Sequence, residues 1–468
     1  MIQTMTGKDA WLAEFEQFEA QSGKSPEWLR PVRKAAIASF TEFGFPTLRH
    51  EEWRFTNIAP IVNTAFERPN AEGARIDRND LNRYRFSESD SNLFVVVNGR
   101  FDAALSGKGK RSDGVTVCSL ADAMESHRSV VEANLARHAS VRDNAFAALN
   151  TAFVEDGVFV HIPKNTVSTE PIHLLFVTTP AAGAIVTHPR LLVVAEENCQ
   201  ATIVETYAGL SETKYLTNSV AEFVLGENAI VDHYKVERES DAAYHMATRQ
   251  LQLSRSSNMS SHTVSLGGGL VRNDVNAYFG GEGGNCMMNG LYVQRGSQHV
   301  DNHLRVDHAK PHCNSWEFYK GILDDESRAV FTGRIIVREG AQKTDAKQSN
   351  ANLLLSNNAL VDTKPQLEIL ADDVKCTHGA TVGQLNDEAI FYLRTRGVSK
   401  DAARSLLIYA FAGESIGQVR VAPLRDRLQE LLATRLAHGE SLTFGRPYEY
   451  SDDFNEIVRN ADRRRHTS

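Results

Sequence analysis

The sequence lacks the long apolar runs of membrane-spanning helices and the basic excess of nucleic-acid-binding proteins. No stretch approaches the roughly 18 consecutive apolar residues of a transmembrane helix. Lys and Arg number 51 against 59 Asp and Glu, which gives a net charge of -8. Basic residues are scattered except for three arginines at 463–465, and a terminal run of this kind is typically solvated. We therefore expect neither a membrane nor a nucleic acid as a partner.

Cysteines are few and irregularly spaced. An odd number at wide intervals does not indicate a disulfide framework. The first twenty residues carry acidic side chains and no apolar core of a secretory signal. The sequence therefore predicts a cytoplasmic protein with free thiols. The five cysteines are Cys118, Cys199, Cys286, Cys313 and Cys376.

Several enzyme motifs are missing as well. The chain has no GxSxG nucleophile elbow and no HExxH zinc motif. A GKS triplet at 23–25 resembles the end of a phosphate-binding loop, but Phe18 stands where the first glycine of that loop is needed. The glycine clusters at 267–269 and 280–284 lack the following Lys and Ser or Thr, so they are better explained as tight turns. We expect a non-catalytic protein that does not hydrolyse ATP itself.

Apolar spacing predicts a mostly helical domain over residues 1–155. Two amphipathic helices are expected within 9–44, the second capped by Ser25 with Pro26 at its first position. Further helices are expected at about 120–139 and 144–153, and a strand at 93–97.

Residues 156–385 change to short runs rich in Val, Ile and Thr, bounded by turn residues. Asparagines that precede successive strands, Asn198, Asn228, Asn258 and Asn285, are separated by 30, 30 and 27 residues. A turn and strand repeated at this interval is typical of a β-solenoid, in which each turn of chain buries its inner face against its neighbours. A large β-sandwich is the alternative. Either way, the fold class is mainly β.

Helical spacing returns over 386–447, with Asn386 and Ser399 as predicted N-caps. A third helix is indicated by leucines at 424, 428, 431, 432 and 436. We expect a small C-terminal helical domain, followed by a tail at 448–468.

The segment QHVDNHLRVDHAKPHC contains four histidines and a cysteine, residue types that bind metals. On a strand, however, His303 and His308 face opposite ways, and the spacings match no compact tetrahedral motif. Two interpretations therefore remain open. One is a metal site that includes His303 or His308, and the other is a polar ladder on the exterior of the solenoid.

The segment VKCTHGATVG places Cys376 two residues before His378. Positions i and i+2 of a strand project from the same face, so the thiol and the imidazole are expected side by side. The pair could hold a soft metal such as iron or relay a proton to sulfur. A buried cysteine next to a hydrogen-bonded histidine is the structural alternative.

With these motifs the chain resembles the SufB and SufD family of iron–sulfur cluster assembly proteins. The resemblance covers roughly 155–440 and includes QSNANLLLSNNALVDTKPQLEI and VKCTHGATVGQL; HEEWRFTNIAPI resembles an early element of SufD-type chains. Asn350 stands where SufB-type chains carry a sulfur-handling cysteine, and no CxxC-type cluster lies near the N-terminus. The chain therefore resembles the SufD branch.

The resemblance implies a right-handed parallel β-helix flanked by helical domains. It implies pairing with a SufB-like paralogue, binding of a SufC-like ABC ATPase through the C-terminal helices, and a role of Cys376 and His378 in cluster assembly through iron. It also implies a reduced flavin in the whole complex and leaves a homodimer open for the isolated chain. A β-helix enzyme acting on acidic polysaccharide and a SufB-type persulfide scaffold are the alternative functions.

Overall fold

The computed structural model describes residues 7–21, 25–69, 76–87, 91–107, 111 and 113–436. The predicted tail at 448–468, with its arginines at 463–465, lies outside these residues.

The N-terminal segment is helical at both of its ends, with strands between. The two helices expected within 9–44 are confirmed, but the predicted cap at Ser25 is wrong. The second helix begins at Leu29, because a turn closed by the Leu29 N–H and the Pro26 carbonyl precedes it, and Ser25 accepts a hydrogen bond from Arg33 instead. The helices are α1 Lys8–Gln21, α2 Leu29–Phe43, α3 Ala59–Val62, α4 Arg78–Leu81, α5 Leu120–Ser126, α6 Arg128–Asn134 and α7 Ala145–Ala152; 3-10 turns span Glu51–Trp53 and Asn82–Tyr84.

The central part of the chain consists of strands that alternate between two sheets. The strands are β1 Leu93–Val97, β2 Arg100–Asp102, β3 Thr116–Ser119, β4 Gly157–Ile162, β5 Ile172–Thr178, β6 Ile185–Thr187, β7 Arg190–Ala195, β8 Gln200–Gly209, β9 Tyr215–Leu225 and β10 Ile230–Arg238. They continue with β11 Tyr244–Leu253, β12 Asn258–Ser265, β13 Leu270–Phe279, β14 Asn285–Gln294, β15 His299–His308, β16 Asn314–Leu323, β17 Arg328–Val337, β18 Asp345–Leu354, β19 Leu360–Ile369 and β20 Lys375–Gly383.

The first sheet has the order β2-β1-β5-β8-β10-β12-β14-β16-β18-β20, and the second has the order β19-β17-β15-β13-β11-β9-β7-β4-β3. Successive strands within each sheet pair in parallel from β5 and β4 onward. Each turn of the chain therefore adds one strand to each sheet, which confirms the parallel β-helix and excludes the sandwich. Three strands from the first 155 residues, β1 to β3, extend the sheets at the end opposite β19 and β20.

The repeat is real, but the predicted asparagine alignment mixes two positions of it. Asn198 and Asn228 adopt the left-handed conformation, with φ of 56° each. Asn258 and Asn285 instead begin strands, two residues further along, and their side chains are joined by a 2.9 Å hydrogen bond. Asparagine suits both places, since it tolerates positive φ and can form a side-chain ladder. The left-handed position recurs once per turn, at Asn165, Asn198, Asn228, Ser256, Gly283, His312 and Lys343.

The helices cover the outer faces of the two sheets. Aromatic residues of α1, α2 and α7 pack on the second sheet around Leu216 and Met246. The C-terminal helices are α8 Asp387–Thr395, α9 Lys400–Ile416 and α10 Ala422–Leu436; α9 and α10 pack on the first sheet around Val264 and Leu291. Both predicted caps are confirmed, because Asn386 accepts from the Glu388 N–H at 2.8 Å and Ser399 accepts from the Ala402 N–H at 3.2 Å.

The inside of the β-helix is apolar near β4 and β5 but carries charged side chains further along. Lys235 pairs with Glu237 at 2.6 Å, and the His233 Nε2 lies 2.7 Å from Glu205 Oε1. All four side chains are buried. Buried charges are retained only when they are paired. Lys235 and Glu237 pair along the same strand, β10, whereas the contact of His233 with Glu205 joins β10 to β8 of the preceding turn.

Candidate functional site

The β-helix ends in two open strands. β20 is the last strand of the first sheet and β19 is the last strand of the second; in the part of the chain that is described, neither has a neighbour on its outer edge. A strand with one covered face alternates in burial, yet on β20 only Cys376 is partly buried and the other eight residues are exposed. The last turn of the solenoid therefore exposes both its backbone edge and the side chains of its inner face.

Cys376 and His378 lie on the inner face of β20. Their partners on the preceding strand are Ala346 and Gln348, which are buried and point into the β-helix. Side chains of partnered residues in parallel strands share a face, so Cys376 and His378 close the end of the interior from one side. Cys376 packs against the apolar core, and burial raises the pKa of its thiol. His378 is exposed and makes no hydrogen bond with any described residue.

Two buried polar residues stand behind His378. Glu317 on β16 and Gln348 on β18 are Cα partners, and His378 continues the same row on β20. Gln348 Nε2 donates to Glu317 Oε2 at 2.5 Å. Burial without a cationic partner raises the pKa of Glu317 to about 7, and Gln348 opposes that rise through its hydrogen bond. Neither residue was singled out from the sequence, and only the strand register reveals them.

Asn350, the residue at which the sequence motifs indicated a missing cysteine, is part of an amide network. It is buried, its Nδ2 donates to the Tyr292 hydroxyl at 3.1 Å, and Asn352 donates to its Oδ1 at 2.7 Å. An amide cannot carry a persulfide, so this position supplies no sulfur chemistry in this chain.

The histidine-rich segment does not form one site. His303 lies on the outer face of β15, whereas His308 lies on the inner face, where its Nε2 contacts Ser315 Oγ at 2.9 Å and its ring stacks on Phe279. Burial lowers the pKa of His303 to about 3 and that of His308 to about 4. Among the described residues, no group of three or more His, Cys, Asp or Glu side chains is placed to hold a metal ion. His303 has polar partners on the neighbouring strands, Asp274 and Thr332, whereas His308 is not part of an exterior ladder.

The outer face near His303 is instead a docking surface for the N-terminal segment. The Thr56 hydroxyl donates to Asp301 Oδ2 at 2.6 Å and lies 3.1 Å from His299 Nε2. The Arg272 guanidinium lies over the Trp53 ring, 3.9 Å from its centroid, and pairs with Asp301. The WRFT element thus anchors its segment to β13 and β15.

These features define a two-sheeted parallel β-helix that presents a thiol and an imidazole at an open end. Residues 176–411 match the family described as "SUF system FeS cluster assembly, SufBD core domain", and residues 5–174 match the "SufBD protein N-terminal region". The chain belongs to the SufBD family of iron–sulfur cluster assembly proteins, as the sequence motifs predicted.

Curated relatives cover almost the whole chain. An iron–sulfur cluster assembly SufBD family protein of Synechocystis is 35% identical over 88% of this chain and 92% of its own length. The iron–sulfur cluster assembly protein SufD of Escherichia coli is 31% identical over 90% of this chain and 96% of its own length. SufD of Bacillus subtilis is 24% identical over 90% and 97%, respectively. Among the helices of the described residues, none has the length and apolar character needed to cross a membrane.

Proposed function

We propose that this chain acts as the SufD-type, non-catalytic subunit of a SUF complex, and that it contributes to cluster formation through iron at the open end of its β-helix. The observation that carries the proposal is that Cys376 and His378 lie at the end of the solenoid where the edges of β19 and β20 are unpaired. A site at an unpaired edge is available to a second subunit and is covered once that subunit binds.

The open end suits a related β-helix as partner. The unpaired N–H and C=O groups of β19 and β20 can be satisfied by strands of another sheet, and such edges rarely remain bare in soluble assemblies. Apolar side chains near the edge are exposed and gain from being covered; they are Leu360, Ile369, Leu370 and Val382. A SufB-like paralogue is the proposed partner, and a second copy of this chain can take its place when the paralogue is absent.

Iron fits the chemistry of the pair but not a complete site on this chain alone. Thiolate and imidazole are ligands that iron accepts, and metal binding displaces the thiol proton. Two ligands leave at least two positions of a tetrahedral site to be filled. The partner subunit or the bound sulfide would supply them, so iron or a nascent cluster is cargo held between the two subunits.

The C-terminal helices offer a separate surface for the ABC-type ATPase. On α8 only Ile390 is buried, while Phe391 and Tyr392 are 67% and 58% exposed. Leu406 on α9 adds to the exposed apolar residues. Exposed aromatic residues close together commonly mark a protein interface. Hydrolysis in a partner agrees with the lack of a phosphate-binding loop in this sequence.

The proposal is tested by anaerobic co-expression with SufB-like and SufC-like subunits. We expect the three chains to purify together, and Cys376→Ala to leave the complex intact while lowering its acid-labile sulfide. Cys118→Ala is the matched control, because Cys118 is also a half-buried free thiol but lies on β3, at the other end of the solenoid. Purification of this chain alone, or equal sulfide in all three complexes, would contradict the proposal.

A further inference from the structure

The row formed by Glu317, Gln348 and His378 contains an unused hydrogen-bond acceptor beside the exposed imidazole. The three residues are register partners on β16, β18 and β20. Neighbouring strands are about 4.8 Å apart, so side chains in such a row are within reach of one another. Glu317 lies on one side of Gln348 in this row, and His378 lies on the other.

The orientation of the Gln348 amide is set from the inside. Its Nε2 donates to Glu317 Oε2 at 2.5 Å, so the amide nitrogen points towards β16. When Glu317 is ionised, above its pKa of about 7, the carboxylate can only accept hydrogen bonds, which favours this orientation of the amide. The oxygen, Oε1, is therefore the polar atom of Gln348 that remains to be used.

Gln348 Oε1 is buried and has no hydrogen-bond partner, in a residue that is only 3% exposed. A buried acceptor without a partner costs about 1–3 kcal/mol, so a donor at this point is stabilising. Across the interior, the amide lies against Gly333 of β17. A Cβ built on Gly333 would be 1.9 Å from Gln348 Nε2, so the missing side chain provides the space in which the amide sits.

His378 is the next residue of the row, and its ring has no hydrogen bond with any described residue. A neutral imidazole carries one N–H donor and one acceptor nitrogen. If the N–H donates to Gln348 Oε1, the other nitrogen is left with its lone pair free at the open end. Histidines that bind metals are commonly oriented in this way, by donating the second ring N–H to a carbonyl or carboxylate group.

We propose that Gln348 and Glu317 are positioning residues for His378: Gln348 Oε1 accepts a hydrogen bond from the imidazole, and Glu317 holds Gln348 in the orientation that allows it. The bond selects one tautomer of His378 and directs the remaining ring nitrogen outward, towards iron or a transferable proton. The consequence for cluster formation rests on the proposed function of His378, whereas the hydrogen bond itself does not.

The direct test is the tautomer of His378 in the isolated, metal-free chain, measured by NMR of ¹⁵N-labelled histidine at a pH where the ring is neutral. The His378 signal is identified by its loss in His378→Ala. We expect one tautomer to predominate in the wild type, and Gln348→Met to change the tautomer ratio about fivefold, the effect of one ordinary hydrogen bond.

Gln348→Met leaves the Glu317 carboxyl without its partner and is expected to be less stable. Glu317→Leu combined with Gln348→Met replaces both partners by apolar side chains of similar size, which restores folding while removing the acceptor. Thr363→Val is the matched control, since the Thr363 hydroxyl on β19 is another buried polar group without a hydrogen-bond partner near the open end. It is expected to leave the tautomer ratio of His378 unchanged.

An unchanged ratio in the folded double variant would overturn the inference, and so would a shift in Thr363→Val equal to that in Gln348→Met. In the assembled complex, the double variant is expected to bind ferrous iron about tenfold more weakly than the wild type, a typical loss when a residue that orients a ligand is removed. If the tautomer shifts but His378→Ala forms clusters normally, the proposed function fails while the positioning inference stands.

Discussion

Glu317 offers the clearest test of the polar interior, because its carboxyl is buried without a cation. The variant Glu317→Gln keeps the shape of the side chain and an oxygen that can accept from Gln348, but it never carries a charge. It therefore removes the cost of a buried carboxylate and little else.

The pH window follows from the direction of the shift. Burial raises the pKa of Glu317 from 4.5 to about 7 in the folded chain. A raised pKa means that the folded state holds the proton more tightly, so the stabilising contribution is complete below about pH 4.5 and is lost as the pH rises through 7. Each pKa unit corresponds to about 1.4 kcal/mol, so the loss between acid and alkaline pH is about 3 kcal/mol.

Urea unfolding of the isolated wild type and of Glu317→Gln at pH 5 and pH 9 measures this difference. We expect similar stability at pH 5 and an advantage of about 3 kcal/mol for the variant at pH 9. Glu326→Gln, on an exposed turn, controls for the loss of one negative charge. Equal differences between variant and wild type at the two pH values would refute the assignment of a buried, uncompensated carboxyl to Glu317.

Two further predictions concern the surfaces outside the open end. Phe391→Ser is expected to abolish co-purification of the SufC-like ATPase while leaving the SufB-like partner bound. Phe43→Ser, which changes a 61% exposed aromatic residue of α2, should leave both partners bound, and retention of the ATPase by both variants would contradict the docking surface. Arg190→Met is expected to cost about 3–5 kcal/mol in urea unfolding, because it leaves the Glu222 carboxylate, 2.5 Å away and fully buried, without its cation. Adding Glu222→Gln, which removes the charge but keeps an oxygen for the backbone N–H groups of Ala136, His138 and Ala139, should recover part of that loss. A double variant as unstable as the single one would count against the ion pair.

The architecture could be predicted from the sequence because a solenoid repeats its turn chemistry. The interval near 30 residues was visible in the sequence. The exact alignment of one repeat with the next was not, because Asn198 lies at the left-handed position of its turn whereas Asn258 begins a strand. The pairing of β1 with β5 could not be predicted either. Residues that pair across strands, such as Leu93 and His173, are far apart in sequence, and no local pattern records their contact.

The candidate site likewise contains residues that a local sequence pattern could predict and residues that it could not. Cys376 and His378 could be placed on one face because side chains alternate along a strand. Gln348 and Glu317 are 31 residues apart and join the site only through the register of separate turns. For His303 and His308, alternation had already argued against a shared site, and the structure places them on opposite faces of β15.

The central claim is that the open end of this chain takes part in cluster formation. The most direct measurement is the iron and acid-labile sulfide content of the anaerobically purified complex with SufB-like and SufC-like subunits, for wild type, His378→Ala and His312→Ala. His312 is an exposed histidine in a turn and serves as the matched control. We predict that all three complexes assemble and that His378→Ala alone has lowered iron and sulfide. Wild-type content in the His378→Ala complex would contradict the claim.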